Sequence, residues 1–304
     1  MKHIINKTND KLYGIILALI VMAFWGSLFP FVKIGYSAFR LDTTFIPNLI
    51  LFAGIRFLVC GTCITGYAIS TKKPMRFSVA QIISIISISA FSIILHYICT
   101  YAGLAMADSS ATALLKQLGA FLFIPFSFLF FKEDKFSVKK IIALLCGIGG
   151  IAALNVTADG FSLGTGEILV ICASFCGVIS SIMSKKSLQS IDPIALTGTS
   201  QLFGGIVLTV LGLSLGGGIQ HFSIKSALVF LYICSASIIG YCLWNVLLKR
   251  GDLSELLILK FTEPVFAAVF GAMLLSEDIF NLRFITALGL TAFGIVITNL
   301  KQKN

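Results

Sequence analysis

Ten apolar stretches separated by short polar breaks constrain this chain more than any other feature. They run approximately over 12–35, 45–69, 79–104, 110–131, 138–155, 165–184, 193–215, 225–248, 253–274 and 281–300. A hydrocarbon slab about 30 Å thick needs about 20 apolar residues per helical crossing, so each stretch reads as one transmembrane helix. Hydrophobic residues make up 57% of the chain, more than a single soluble core could hide. The runs are continuous rather than alternating, which excludes a β-barrel. The expectation is an all-α polytopic membrane protein of ten transmembrane helices, with no connection long enough for a second, soluble domain.

The amino-terminal MKHIINKTNDKLYG is basic and leads into IILALIVMAFWGSLFPFV. That run is longer than a signal-peptide core and lacks a small-residue cleavage site, so it reads as a retained first helix. Orientation follows from Lys and Arg. With the amino terminus inside, Lys2, Lys7, Lys11, Lys72, Lys73, Arg76, Lys132, Lys135, Lys139, Lys140, Lys185, Lys186, Lys249, Arg250, Lys301 and Lys303 fall on the cytoplasmic side. Lys33, Arg40, Lys225 and Arg283 fall outside. This asymmetry places both termini in the cytoplasm. The net charge of +10 is spread over short loops, which argues for topology and against a nucleic-acid surface. The Ile-, Lys- and Phe-rich composition with short loops points to a bacterial plasma membrane. The eight cysteines lie within apolar runs, such as Cys60 with Cys63 and Cys172 with Cys176, and read as small packing residues. No carboxylate cluster completes a metal site, and no cofactor motif is present.

Sliding the chain against itself by 144 positions pairs Tyr97 with Tyr241, Asp108 with Asp252, Ser110 with Ser254 and Lys116 with Lys260. It also pairs Glu133-Asp134 with Glu277-Asp278. One offset, in order, indicates a duplication, with halves over 1–157 and 158–304. Each half carries five crossings, an odd number, so the second enters the membrane from the opposite side. Inverted repeats of this kind place a central substrate cavity between two bundles and work by alternating access, a geometry of transporters.

The first stretch contains AFWGSLFPFVK, the second GIRF, and the fourth runs SSATALLKQLGAFLFIPFSFLFF into KED; the ninth repeats the plan as LSELLILKFTEPVFAAVFGAMLLSED. This pattern resembles the drug/metabolite transporter superfamily in its ten-helix EamA-type branch, over nearly the whole chain. The resemblance implies a basket of ten helices whose cavity is lined mainly by helices 1, 3, 4, 6, 8 and 9. It says little about substrate, since members move amino acids, nucleotide-like metabolites, sugars and organic ions.

Three bases lie within apolar stretches, where a central Arg or Lys costs about 2.5 to 3.5 kcal/mol on insertion scales. Lys116 and Lys260 read either as snorkelling side chains reaching the head groups or as substrate contacts in a cavity. Glu263, three residues after Lys260, is its expected charge partner on the same helical face and a candidate proton carrier. Lys116 has no such neighbour, because the matching position is Gly119. Arg56, whose counterpart is about Gln201, suits a structural tie or a carboxylate equally. His96 reads as a core histidine or a coupling group. Trp25, Tyr97, Tyr101, Tyr241 and Trp244 are candidate cavity walls, with Asn245 as a polar handle. Pro30, Pro125 and Pro264 are candidate kinks. Gly212 with Gly216 and Ala143 with Gly147 are candidate close-packing positions.

The excess of bases points to a secondary transporter of a small anionic or zwitterionic metabolite, such as an amino acid or carboxylate. An exporter of organic cations, or a lipid translocator, is the alternative on the same fold. Enzyme motifs such as HExxH, GxSxG or a phosphate loop are absent from the sequence, so no catalytic role is expected. Energy would come from protons, a counter-transported solute or a substrate gradient, and a monomer or homodimer suffices.

Overall fold

The structure, a computed structural model, describes residues 2–123, 129–130, 137–157, 160–161, 164–250, 253–278 and 281–299. Pro125, Glu133, Asp134 and Asp252 lie outside the described residues, as do the side chains of Ser110, Ser254, Ala143 and Glu255.

Each of the ten apolar stretches carries helix. In chain order the elements are α1 (Lys2–Ala38), α2 (Ile46–Ser70), α3 (Val79–Ser89), a π-helical segment (Ala90–Leu95) and α4 (His96–Met106). The first half continues with α5 (Ser109–Leu115), α6 (Leu118–Phe123) and α7 (Val138–Asn155). The second half holds α8 (Thr165–Ser187), α9 (Pro193–Ser214), α10 (Ile224–Arg250), α11 (Leu253–Lys260), α12 (Glu263–Leu275) and α13 (Leu282–Asn299). A two-residue antiparallel ladder, β1 (Val156–Thr157) with β2 (Gly160–Phe161), bridges the halves. Among the described residues, six helices, over Tyr13–Ala38, Ile46–Ser70, Val79–Met106, Thr165–Ser187, Pro193–Ser214 and Ile224–Arg250, are long and apolar enough to cross a membrane.

Local sequence explains several boundaries. Ser78 and Gln81 form a reciprocal capping box that starts α3. The Asp192 carboxylate accepts from the backbone of Ile194 and Ala195, and Pro193 opens α9 with a φ already helical. Asp192 also meets Lys73 at 3.5 Å, tying the α2–α3 loop to the start of α9.

Two expected helices are broken instead of continuous. The ninth stretch stops at Lys260 and resumes at Glu263, because Pro264 has no N–H and its ring opposes the Lys260 carbonyl four residues back. The fourth stretch breaks at Lys116–Gln117 without a proline. There the Gly119 N–H leaves the helical ladder and donates to Ser174 Oγ of α8 at 3.0 Å. Both lysines therefore sit at helix ends.

The pairing α2 with α9 is the most extensive between helices, and glycine makes it possible. Gly54 and Gly61 of α2 stand seven residues apart, as do Gly198, Gly205 and Gly212 of α9. A Cβ on Gly54 would collide with the backbone of Thr209, one on Gly61 with Leu202, one on Gly205 with Leu58, and one on Gly212 with Leu51. Ascending positions in α2 meet descending positions in α9, so the two helices run antiparallel. Gly216 plays a different part from the one expected: it follows the end of α9 at φ +84°, a left-handed turn open to glycine, and packs no helix. Gly147 does pack closely, against the Phe121 ring. Around this axis α1 packs on α10 and α12, α4 on α8, and α7 on α13.

Gly205→Ile should force α2 and α9 apart and cost about 3 kcal/mol or more, as overpacking at a backbone contact does. Gly66→Ile, at a position with open space, is the control and should unfold like the wild type in a thermal melt in detergent.

Candidate functional site

The cavity is built on α1. Trp25, Leu28, Phe29 and Val32 recur at helical spacing and face inward. Pro30 in the same helix cannot donate to the Gly26 carbonyl. Gly26 in turn lets the first turn of α12 approach, since a Cβ there would meet the Glu263 carbonyl and the Ala267 nitrogen. On α4, just after the π-helical segment, His96, Tyr97, Thr100, Tyr101 and Leu104 line the opposite wall. Insertions of this kind re-aim the side chains that follow and recur at functional sites. Apolar clusters lie on either side along α1, one holding Ala18, Val21 and Met22, the other Leu28, Phe29, Val32, Tyr36 and Phe39.

All eleven candidate site residues singled out from the sequence line this one cavity: Trp25, Arg56, His96, Tyr97, Tyr101, Lys116, Tyr241, Trp244, Asn245, Lys260 and Glu263. Its volume is about 80 Å³, several times what one ordered water needs.

Their environments differ. Arg56 is 1% exposed, and its guanidinium is spoken for. Nε and Nη2 donate to Ser237 Oγ at 2.9 and 2.6 Å, and Nη1 donates to the Tyr101 hydroxyl. Its Cζ lies 4.8 Å from the Phe57 ring centroid and 5.3 Å from that of Tyr97. Of the two roles the sequence allowed Arg56, these contacts make the tie between α2, α4 and α10.

The lysines are freer. Lys116 Nζ stands 5.0 Å from the centroid of Phe29, and Lys260 Nζ 5.7 Å from that of Trp25, two rings one turn apart on α1. Neither ammonium reaches a hydrogen-bond acceptor among the described residues. Both turn toward the cavity, not along lipid.

Glu263 differs from expectation. It forms no ion pair with Lys260, because the helix breaks between them and the two residues no longer share a continuous face. The carboxylate is 1% exposed, and its Oε2 has no hydrogen-bond partner.

Tyr97 and Tyr241, matched by the 144-residue offset, meet hydroxyl to hydroxyl at 2.9 Å. Trp25 packs against both Tyr241 and Trp244, with centroids 5.4 and 5.3 Å apart, and rests on Gly240. His96 Nδ1 bonds the Ala173 carbonyl at 2.8 Å, the satisfied environment of a core histidine. Asn245 Nδ2 donates to Thr197 Oγ1 at 2.8 Å.

Several lining residues carry signals that sequence reasoning passed over. Ser180, Ser181 and Ser184 follow Gly177 at helical spacing on α8, so one face of an apolar helix is small and polar. Gln201 and Thr100 are buried polar residues in apolar runs, and neither stands out without knowing which face points inward.

The EamA-like transporter family pattern matches residues 12–156 and again residues 164–300. The chain belongs to the EamA-like transporter family. It is thus a multi-pass membrane protein of a transporter family, and the expected resemblance holds for both halves. A chloroplastic WAT1-related protein of Arabidopsis thaliana is 29% identical over 190 residues, 59% of this chain; those residues span 45% of that protein. A protein of Escherichia coli K12 named as a probable amino-acid metabolite efflux pump is 26% identical over 304 residues, 92% of this chain and 95% of its own. A crystal structure superposes with a TM-score of 0.73 at 15% identity, covering 95% of this chain and 96% of its own, a likeness of fold.

Arg56→Met should cost this EamA-like protein about 2 kcal/mol or more, since hydrogen bonds to a charged group are worth about 1.5 to 3 kcal/mol each. Tyr101→Phe should cost less, because Arg56 keeps Ser237. Thermal unfolding of the two variants in detergent checks the order.

Proposed function

We propose that this protein is a secondary-active transporter of a small organic metabolite bearing a negative group, an amino acid or other carboxylate, and that it works by alternating access. The observation that carries the reading is the pair of ammonium groups, Lys116 and Lys260, set in one cavity without an acceptor among the described residues. Arg56 adds a third positive charge nearby, while Glu263 is the acidic residue among those lining the space. A fixed excess of positive charge in a low-dielectric chamber favours an anion, and an ammonium on the same substrate would face Glu263 and the aromatic rings. The naming of the E. coli relative as a probable amino-acid metabolite efflux pump agrees with this class.

The two-bundle mechanism is supported by the antiparallel α2–α9 contact and by the Tyr97–Tyr241 contact between offset-matched residues. We read residues 1–157 and 158–304 as inverted repeats that rock about this axis, with both termini in the cytoplasm of a bacterial cell. Lys116, Lys260, Tyr97, Tyr241, Trp25, Trp244 and Asn245 are the substrate-facing set. Arg56 backs it as a tie, and Glu263 offers a carboxylate to a substrate ammonium; the coupling role considered for His96 is the weaker, its Nδ1 being engaged. A second reading, export of an organic cation, rests on the Trp25–Tyr241–Trp244 cluster beside Glu263.

A thermal-shift screen of the purified protein separates the two. A carboxylate or amino acid at a hundred times its dissociation constant should stabilise the protein by about 2.7 kcal/mol. That stabilisation should vanish in Lys116→Met and Lys260→Met. Stabilisation by organic cations that survives in both variants would favour the second reading.

A further inference from the structure

Trp25 Nε1, Thr100 Oγ1 and Glu263 Oε2 are cavity-lining atoms without a hydrogen-bond partner, and Gln201 lacks one at two atoms. Gln201 lies on the inward face of α9 with Thr197 and Ser200, and is 1% exposed. Neither Oε1 nor Nε2 has a hydrogen-bond partner. Buried side-chain amides almost always satisfy at least one end, and this one offers a carbonyl acceptor and two N–H donors with none used.

Its neighbours on α9 are closed among themselves. Asn245 donates to Thr197 Oγ1, and Thr197 donates to the Pro193 carbonyl at 2.6 Å. Ser200 donates to the Thr197 carbonyl at 3.2 Å, and Ser89 to the Ser200 carbonyl at 2.7 Å. Gln201 joins none of these bonds. Nor can it withdraw, because its backbone is pressed against α2 at Gly61, where a Cβ would meet the Gln201 carbonyl carbon and Leu202. The amide is held on the most tightly packed pair of helices in the protein, a rigid mount for recognition.

We propose that Gln201 is a neutral recognition subsite for a planar group carrying an N–H donor beside a carbonyl acceptor, of which a carboxamide is the smallest. The proposal rests on the reading of this cavity as the substrate chamber and adds to it a second feature of the substrate. The lysines bind its negative end and Gln201 reads a neutral polar group elsewhere on the same molecule. A ligand that fills the cavity without that group leaves both ends of the amide unmet, so discrimination arises from the bonds that only the amide-bearing ligand forms.

The test uses two monocarboxylic acids of nearly one shape, succinamate and 4-methylpentanoate, which differ by an amide in place of an isopropyl end. Titrated against the purified full chain, succinamate should bind at least about tenfold more tightly. Gln201→Met should erase that preference by weakening succinamate and sparing 4-methylpentanoate. The unliganded variant should melt at or above the wild-type temperature, since it loses an unsatisfied buried amide. Gln201→Leu serves if the first variant does not fold. Equal binding of the two acids by the wild type, or a preference that survives in the variants, overturns the subsite and leaves the anion reading to Lys116→Met. Binding of neither acid overturns both.

Discussion

The structure depends first on backbone meeting backbone between α2 and α9. In lipid, burying one apolar helix against another removes no hydrocarbon from water, so association must come from close packing and from polar bonds. Gly54 and Gly61 on one side, and Gly198, Gly205 and Gly212 on the other, let the two backbones approach until no Cβ would fit. Everything that lines the cavity from these helices inherits their rigidity. Arg56 reaches α4 and α10 from α2, Thr197 receives Asn245, and Gln201 is fixed facing inward. Against this frame, the elements that bear the lysines are short helical pieces with breaks beside the charge.

Those breaks settle how a membrane helix tolerates a lysine. A continuous helix would carry Lys116 or Lys260 at the protein–lipid boundary, with only the four-carbon stem to reach water. A helix that ends at the lysine instead turns the residue toward the interior and leaves carbonyls there that have no partner in the next turn. Irregular backbone at membrane depth is tolerable only where it faces protein or a watery space. The break and the cavity therefore require each other. The two breaks are reached differently, by Pro264 in the ninth stretch and by diversion of the Gly119 N–H to Ser174 in the fourth.

That difference marks how much the sequence discloses. The ten stretches and the lysine pair are legible because each rests on cost or periodicity along the chain, a charge in an apolar run being expensive wherever the run folds. The family resemblance is legible in the motifs of the first, second, fourth and ninth stretches. The meeting of Tyr97 with Tyr241 is legible through the 144-residue offset. The break at Lys116 is not, since it is decided by a serine 55 residues away. Nor is the fate of Arg56, whose partner Ser237 lies 181 residues on and looks like any small residue in an apolar helix. The Lys260–Glu263 pair fails as an expectation because the i, i+3 rule holds only while the helix continues. Pro264, in plain view, is what stops it.

The two halves agree in scaffold and differ in chemistry. Gly54 and Gly61 of α2 recur as Gly198 and Gly205 of α9 at the 144-residue offset, as do the tyrosines that touch and the lysines that face the cavity, while Gly212 answers to Ala68. Glu263 answers to Gly119, and the fork of Arg56 has near its counterpart only the amide of Gln201. Recurrence holds for glycines that bring α2 and α9 together and for the lysines and tyrosines of the cavity. Departure falls on Arg56, Gln201 and Glu263, which front the cavity beside the recurring lysines and tyrosines. The recurring lysines give the cavity its positive charge, and Glu263, Arg56 and Gln201, which break the repeat, add groups that only one half supplies.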